Sequence, residues 1–178
     1  MHKLTLRISP AHLGWIGLVA GALMLIVSAS TPSFGQATDD VNVTVTLQNV
    51  SVTVADGAVN YGTQGTSTVV DTTSNGIDDS QTATNNGNVA VDLNLRGQDT
   101  AAWTLAGSIG ADQYRHRFCT TTCDSSPSWT ALTTNYQSLA SSVNVSGNQV
   151  FDLEINTPSS TSSFTQQLAD VIVQAVAP

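Results

Sequence analysis

The chain has 178 residues, and its few charged side chains are mostly acidic, with 13 Asp and Glu against 5 Lys and Arg. Binding to nucleic acid or to anionic lipid depends on clustered Lys and Arg, so the composition argues against both kinds of partner. The acidic balance favours solubility and leaves divalent cations as candidate ligands.

The first 37 residues have the pattern of a signal peptide. Residues 1–7 are short and basic, residues 13–29 are uncharged and mostly apolar, and residues 35–37 place small side chains where a signal peptidase cleaves. The apolar run is near the lower length limit for spanning a bilayer. The alternative is therefore an uncleaved anchor with Lys3 and Arg7 inside. Either way, residues 38–178 are predicted to be carried across the membrane, and their length suits one domain with one core.

This exported part is predicted to be all-β, because apolar and polar residues alternate along it in short runs. The first run covers residues 41–47. The alternation changes phase after Asn49 and continues to Val54, which predicts a bulge or a break between two strands. Short strands are also expected at residues 58–61 and 69–70.

The middle of the chain contains a turn signal. Residues 85–88, Asn-Asn-Gly-Asn, separate two alternating runs at 81–84 and 89–95, and Asn-Gly is typical of a hairpin turn. Further strands are expected at residues 103–105 and 114–118.

Towards the end, residues 151–155 alternate like a strand exposed on one face. Residues 170–176 are apolar on both faces, which is typical of a central strand. Only residues 128–140 have helical spacing. About eight short strands predict a single β-sandwich, Ig-like or jelly-roll, over residues 38–178.

Cys119 and Cys123 are separated by three threonines. In an exported protein, two cysteines this close predict a disulfide that ties a loop. The alternatives are a redox pair or half of a metal site. Neither has support, because the spacing is not Cys-x-x-Cys and the only histidine after residue 37 is His116, on the adjacent strand.

The segment 71–79 is the candidate metal site. Carboxylate and amide oxygens crowd around an Asn-Gly turn there, and Ca²⁺ prefers such ligands on flexible loops. The candidate ligands are Asp71, Asn75, Asp78 and Asp79. No Glu closes the site, and a solvated acidic turn is the alternative.

Trp103 and Trp129 are candidate ligand-binding residues, because aromatic rings can stack on sugars. Large aromatics in a small sandwich more often belong to the core, which is the alternative for both.

No catalytic residue and no cofactor site are predicted, so the protein is not expected to be an enzyme. A Ser or Cys nucleophile needs an oriented base, and His116 lies between two arginines without a nucleophile motif nearby. Asp152 and Glu154 share a strand face as glycosidase acids might. Strand alternation places charges on any solvent face in the same way.

Two sets of residues resemble known surface domains. Leu95-Arg96-Gly97 followed by residues 102–105, with residues 59–62 before them, resembles the first Trp-x-Leu segment of WxL cell-surface domains. At residues 173–178 the second Trp and Leu of that family are missing, so peptidoglycan attachment does not carry over. Residues 86–89 are similar to bacterial surface and fibre proteins of the camelysin and TasA type. The resemblance implies an envelope location, a sandwich fold, and binding or assembly. It does not extend to the metalloprotease activity attributed to camelysins, because this sequence lacks the metal ligands for it.

Two functions are consistent with this sequence. The first is a non-catalytic protein of the cell surface that binds wall polymer or glycan through exposed aromatics. The alternative is a structural subunit of an extracellular fibre or surface layer, in which the segment from Val41 to Val54 adds as a strand to another copy. Membrane contact is expected only through an uncleaved signal.

Overall fold

The computed structural model describes residues 38–178, so the predicted signal peptide lies outside the described residues. Ten strands and no helix occur in this range. The strands are β1 (Val52–Ala55), β2 (Val69–Asp71), β3 (Gln81–Asn85), β4 (Val91–Gly97), β5 (Thr104–Leu105), β6 (Gln113–Cys119), β7 (Thr130–Ala131), β8 (Gln137–Val143), β9 (Asn148–Asn156) and β10 (Val171–Val176). Residues 38–178 therefore contain no helix that could span a bilayer.

The strands form two sheets. The larger sheet has the order β1-β3-β9-β6-β5, with β2 also pairing with β9 and β7 with β6, and the smaller sheet has the order β10-β4-β8. Their facing side chains form one apolar core, which includes Leu93 and Leu95 of β4 and Phe151 and Leu153 of β9. The predicted all-β, sandwich-like fold is confirmed, with ten strands in place of about eight.

The longest strand, β9, lies at the centre of the larger sheet. On one side it pairs first with β3 and then with β2, and on the other side it pairs with β6. Asp152 and Glu154 are nevertheless buried, at 5% and 4% exposure, because Thr72, Ser80 and Arg117 cover them. The prediction that this strand exposes one face is therefore wrong.

Residues 85–88 connect the two sheets and do not form the predicted hairpin. The strands on either side, β3 and β4, belong to different sheets. Asn85 is fully buried at the crossing, where its side-chain amide donates to the carbonyl oxygens of Val89 and Val143 at 2.8 and 3.0 Å. The segment that contains Asn-Gly thus connects the two sheets, and the Asn85 side chain satisfies buried carbonyl groups at the connection.

Gly87 lies where the segment before β1 passes closely. The amides of Asn86 and Asn88 donate to the carbonyls of Ser51 and Asn49 at 3.0 Å each, which continues the β1–β3 register beyond the end of β3. A Cβ atom on Gly87 would lie 2.4 Å from the Asn49 carbonyl oxygen. A glycine is required here because the two backbones approach so closely.

We therefore expect Gly87→Ala to destabilise the fold by about 1–3 kcal/mol, as overpacking does, and to loosen residues 49–51. Chemical denaturation and hydrogen exchange at the amides of Asn86 and Asn88 would measure both effects. The matched control is Gly107→Ala, because a Cβ there meets nothing within 4 Å. Unchanged exchange in the Gly87 variant would contradict the expectation.

Three further local predictions are wrong. Residues 58–61 form a loop, and residues 128–140 contain β7 and part of β8 in place of a helix, because these residues pair with β6 and β4. Among the described residues β10 pairs with β4 alone, so the segment predicted to be a central strand is an edge strand.

Candidate functional site

An open groove of about 1290 Å³ lies beside two edge strands, β1 of the larger sheet and β10 of the smaller one. Val54 of β1 lines it, as do Val171 and Val173 of β10. Phe151 and Leu153 of the central strand β9 also line it. The lining is mostly apolar, and these residues also belong to the core or pack against it. The groove is therefore an open extension of the core.

The loop after β1 supplies one wall of the groove. It contributes Val59 and Tyr61, which pack against the core even though this loop forms no strand. Apolar packing and side-chain hydrogen bonds, in place of ladder hydrogen bonds, therefore hold this wall.

A polar pair interrupts the apolar lining. The Tyr61 hydroxyl lies 3.0 Å from Nε2 of His116, and the two rings meet edge to face with centroids 5.9 Å apart. His116 is 1% exposed, and its Nδ1 has no hydrogen-bond partner among residues 38–178. Burial lowers the pKa of His116 to about 4. Burial is also the main cause that raises the Tyr61 pKa well above its usual value. Both groups are therefore neutral at neutral pH.

The segment from residue 161 to residue 170 forms the other wall, and side-chain hydrogen bonds hold it near both ends. At its start, the Thr161 hydroxyl donates to Asp112 at 2.9 Å. Near its end, the side-chain oxygen of Gln167 accepts from the Thr100 hydroxyl at 2.9 Å and from the Ala102 amide at 3.0 Å. Hydrogen bonds thus hold this wall both before and after its exposed middle residues.

Two large apolar side chains of this segment remain in solvent at the groove. Phe164 is 90% exposed and Leu168 is 74% exposed, although both line the opening. Such exposure of large apolar groups beside an apolar groove is typical of an interaction surface.

The two predicted ligand-binding tryptophans have different surroundings. Trp103 is half-buried and lines the groove, and its indole N–H donates to the Thr161 hydroxyl at 2.9 Å. Trp129 is half-buried next to β7, with the Arg117 guanidinium 5.8 Å from its ring centroid. Trp129 is not part of the groove lining.

In the candidate calcium loop, the Asp71 carboxylate accepts from the amide and the hydroxyl of Thr73 at 3.1 and 2.6 Å. A Cβ on Gly76 would lie 2.2 Å from the Asp71 carbonyl oxygen, so the loop closes tightly around this aspartate.

The other three predicted ligands have separate surroundings. Asn75 donates through its side chain to the Asp124 carbonyl at 2.6 Å, Asp79 accepts from Gln81 at 3.0 Å, and Asp78 is exposed. Within residues 38–178, no three His, Cys, Asp or Glu side chains are grouped so that they could hold a metal ion. Calcium binding at this loop stays a prediction.

The structure joins Cys119 and Cys123 by a disulfide, in agreement with their predicted pairing, with the Cα atoms 5.9 Å apart. The bridge closes a short loop at the end of β6. That loop borders a smaller cavity of about 280 Å³, which Ser80 and Asp152 also line. The disulfide therefore fixes the shape of this loop.

The residues weighed for catalysis have structural partners. Asp152 accepts from the hydroxyls of Thr72 and Ser80 at 2.9 and 2.6 Å. Glu154 accepts from Nε of Arg117 at 2.6 Å, and His116 bonds Tyr61. Each acidic group is thus occupied by a neighbour in the sheet or beside it.

Sequence reasoning missed the groove, the Tyr61–His116 pair and the exposed Phe164. The groove depends on which strands become edges, and periodicity does not contain that information. Phe164 did leave a signal, as a lone aromatic in a segment rich in Ser and Thr.

Comparison of the chain with protein-family models, with curated proteins and with solved structures gives no match. A functional assignment of this chain therefore depends on its sequence pattern and on the geometry of its fold.

Proposed function

We propose that this protein is a non-catalytic, secreted structural subunit of an extracellular fibre or surface layer. In this proposal, the segment before β1 in one copy adds as a strand to another copy. The observation that carries the proposal is the exposure of Val45 and Leu47, at 86% and 83%, on a segment with strand-like alternation and no strand partner among the described residues. The disulfide supports an exported location.

The physical argument concerns the alternating apolar side chains. Burying one Val or Leu side chain contributes about 1.5–3 kcal/mol, and strand addition to an open sheet edge also satisfies backbone hydrogen bonds. The sequence extends the same alternation to Val41 and Val43. A segment with this pattern gains most when one face of it meets an apolar surface.

The fold shortens the donor segment predicted at residues 41–54. Val52 and Val54 already belong to β1, and Asn49 and Ser51 continue its register. Residues 41–47 are therefore the part we assign to strand addition, and the rest anchors it to the subunit. We propose an Ig-like or jelly-roll sandwich as the body of that subunit.

Binding of wall polymer or glycan is the second candidate function. It is favoured by Trp129, whose ring stays partly exposed, with the Arg117 guanidinium over it, because a partly exposed aromatic ring can stack on a sugar. Trp103 supports it less, because its indole N–H already bonds Thr161.

The test is the assembly state of the exported chain with Val45→Ser and Leu47→Ser. We expect the wild type to form large assemblies and the double variant to require at least ~100-fold higher concentration, because it loses the burial of two apolar side chains. Sedimentation velocity and electron microscopy measure this.

The matched control is Val145→Ser with Val150→Ser, which removes two comparably sized side chains that are 50% and 47% exposed elsewhere. This control should assemble like the wild type. A wild type that stays monomeric at every concentration and binds purified wall polymer would reject assembly and favour the second function.

A further inference from the structure

We propose that the groove beside β1 and β10 is the acceptor site for residues 41–47 of a second copy. This inference rests on the proposed function and names its partner surface. It places the incoming segment along the open edge of β10, with its apolar side chains directed into the groove.

The size of the groove suits a chain segment better than a small molecule. Its volume of about 1290 Å³ is above the roughly 300–1,000 Å³ of ordinary ligand pockets. At about 3.3 Å per residue, residues 41–47 extend over ~23 Å and the six residues of β10 over ~20 Å. The donor and the open edge therefore match in length.

The chemistry of the groove matches one face of the donor. Val54, Val171 and Val173 present apolar groups from the two edge strands, and the donor has a Val or Leu at every second position from 41 to 47. Among residues 38–178, β10 has a ladder partner on one side only. A strand added there would extend the smaller sheet and cover the groove in one step.

The direction of the chain favours another copy over the molecule's own segment. Asn49 and Ser51 continue the β1 register past the end of β3, and the Leu47 carbonyl accepts from the Asn88 side chain at 2.8 Å. The chain thus runs from Val54, beside the groove, towards the opposite end of β1. To enter the groove of its own molecule, the chain would have to reverse direction before residue 47. Part of residues 41–47 would then form the turn and could not fill the groove.

Two exposed apolar side chains at the opening of the groove are consistent with an inserted strand from a second copy. Phe164 and Leu168 lie at the groove, yet they are 90% and 74% exposed in the isolated chain. An inserted strand would give both of them an apolar surface to cover.

The test is cross-linking between two separately produced chains, one with Val45→Cys and one with Val173→Cys. The native cysteines are already paired. With oxidised glutathione as the oxidant, we expect a disulfide to form between the two chains. It should form about tenfold faster than when the exposed control Val145→Cys replaces Val173→Cys, because docking raises the local thiol concentration. A synthetic peptide of residues 38–48 should compete, and the same peptide with Val43→Asn and Val45→Asn should not.

Each outcome has a separate meaning. Assembly that is lost with Val45→Ser and Leu47→Ser, without cross-linking to Val173, would overturn the groove as acceptor and leave the proposed function standing. A Val45→Cys, Val173→Cys double variant that cross-links only within one monomer would show that the segment fills its own groove, and would also overturn the inference. Absence of any assembly would reject both. Circular dichroism of each variant establishes that it is folded.

Discussion

Replacing Arg117 by methionine is expected to lower the free energy of unfolding by about 3 kcal/mol, because the Glu154 carboxylate would stay buried without its cation. Glu154 is 4% exposed on the central strand β9. Two guanidinium nitrogens of Arg117 contact the same carboxylate oxygen. No other salt bridge to Glu154 occurs among residues 38–178.

Urea denaturation of three variants would test this expectation. Arg117→Met alone should lower the free energy of unfolding most. Glu154→Gln should lower it less, because the Arg117 side chain that loses its partner is 23% exposed and reaches solvent. Arg117→Met with Glu154→Leu should recover much of the loss. An Arg117→Met variant within 1 kcal/mol of the wild type would mean that solvent reaches the carboxylate.

The second large effect is a loss of stability in mild acid that depends on His116. The unfolded chain takes up this proton near pH 6.5, whereas the folded chain takes it up only near pH 4, because burial lowers the pKa of His116. Between these values the unfolded chain binds more protons, so the free energy of unfolding falls as the pH drops. The loss of unfolding free energy that is due to His116 reaches about 3 kcal/mol at pH 4 and is absent above about pH 7.

His116→Gln is the appropriate variant, since glutamine retains a polar group for the Tyr61 hydroxyl. Denaturation at several pH values from 7 to 4 should give a steeper fall for the wild type than for the variant. Carboxylates titrate in both proteins and cancel in the comparison. His116 is the only histidine after residue 37, so no other imidazole contributes. Equal pH profiles would refute the buried, neutral state of this histidine.

Local alternation predicted most strands but not their neighbours. The run around residues 114–118 became β6 because its inward residues, Tyr114, His116 and Phe118, alternate with its arginines as a strand requires. The same rule failed at residues 58–61, where no strand lies alongside to complete a ladder. Period-two patterning states which face is apolar, but pairing decides whether a strand exists.

Burial of polar groups was the harder part to predict. Asp152 and Glu154 look like surface residues until a hydroxyl pair and a guanidinium are brought to them from distant parts of the chain. Asn85 similarly looked like a turn residue, although its side chain holds the two sheets together. These partners are set by tertiary contacts, which a single sequence does not display.

The central position of β9 also bears on the order in which the molecule can fold. Three strands, β2, β3 and β6, depend on this one segment, which lies near the end of the chain. The larger sheet therefore cannot close until residues 148–156 are available, and such long-range pairing is intrinsically slow. During synthesis, β2, β3 and β6 therefore remain without their β9 ladder partner until residues 148–156 have left the ribosome.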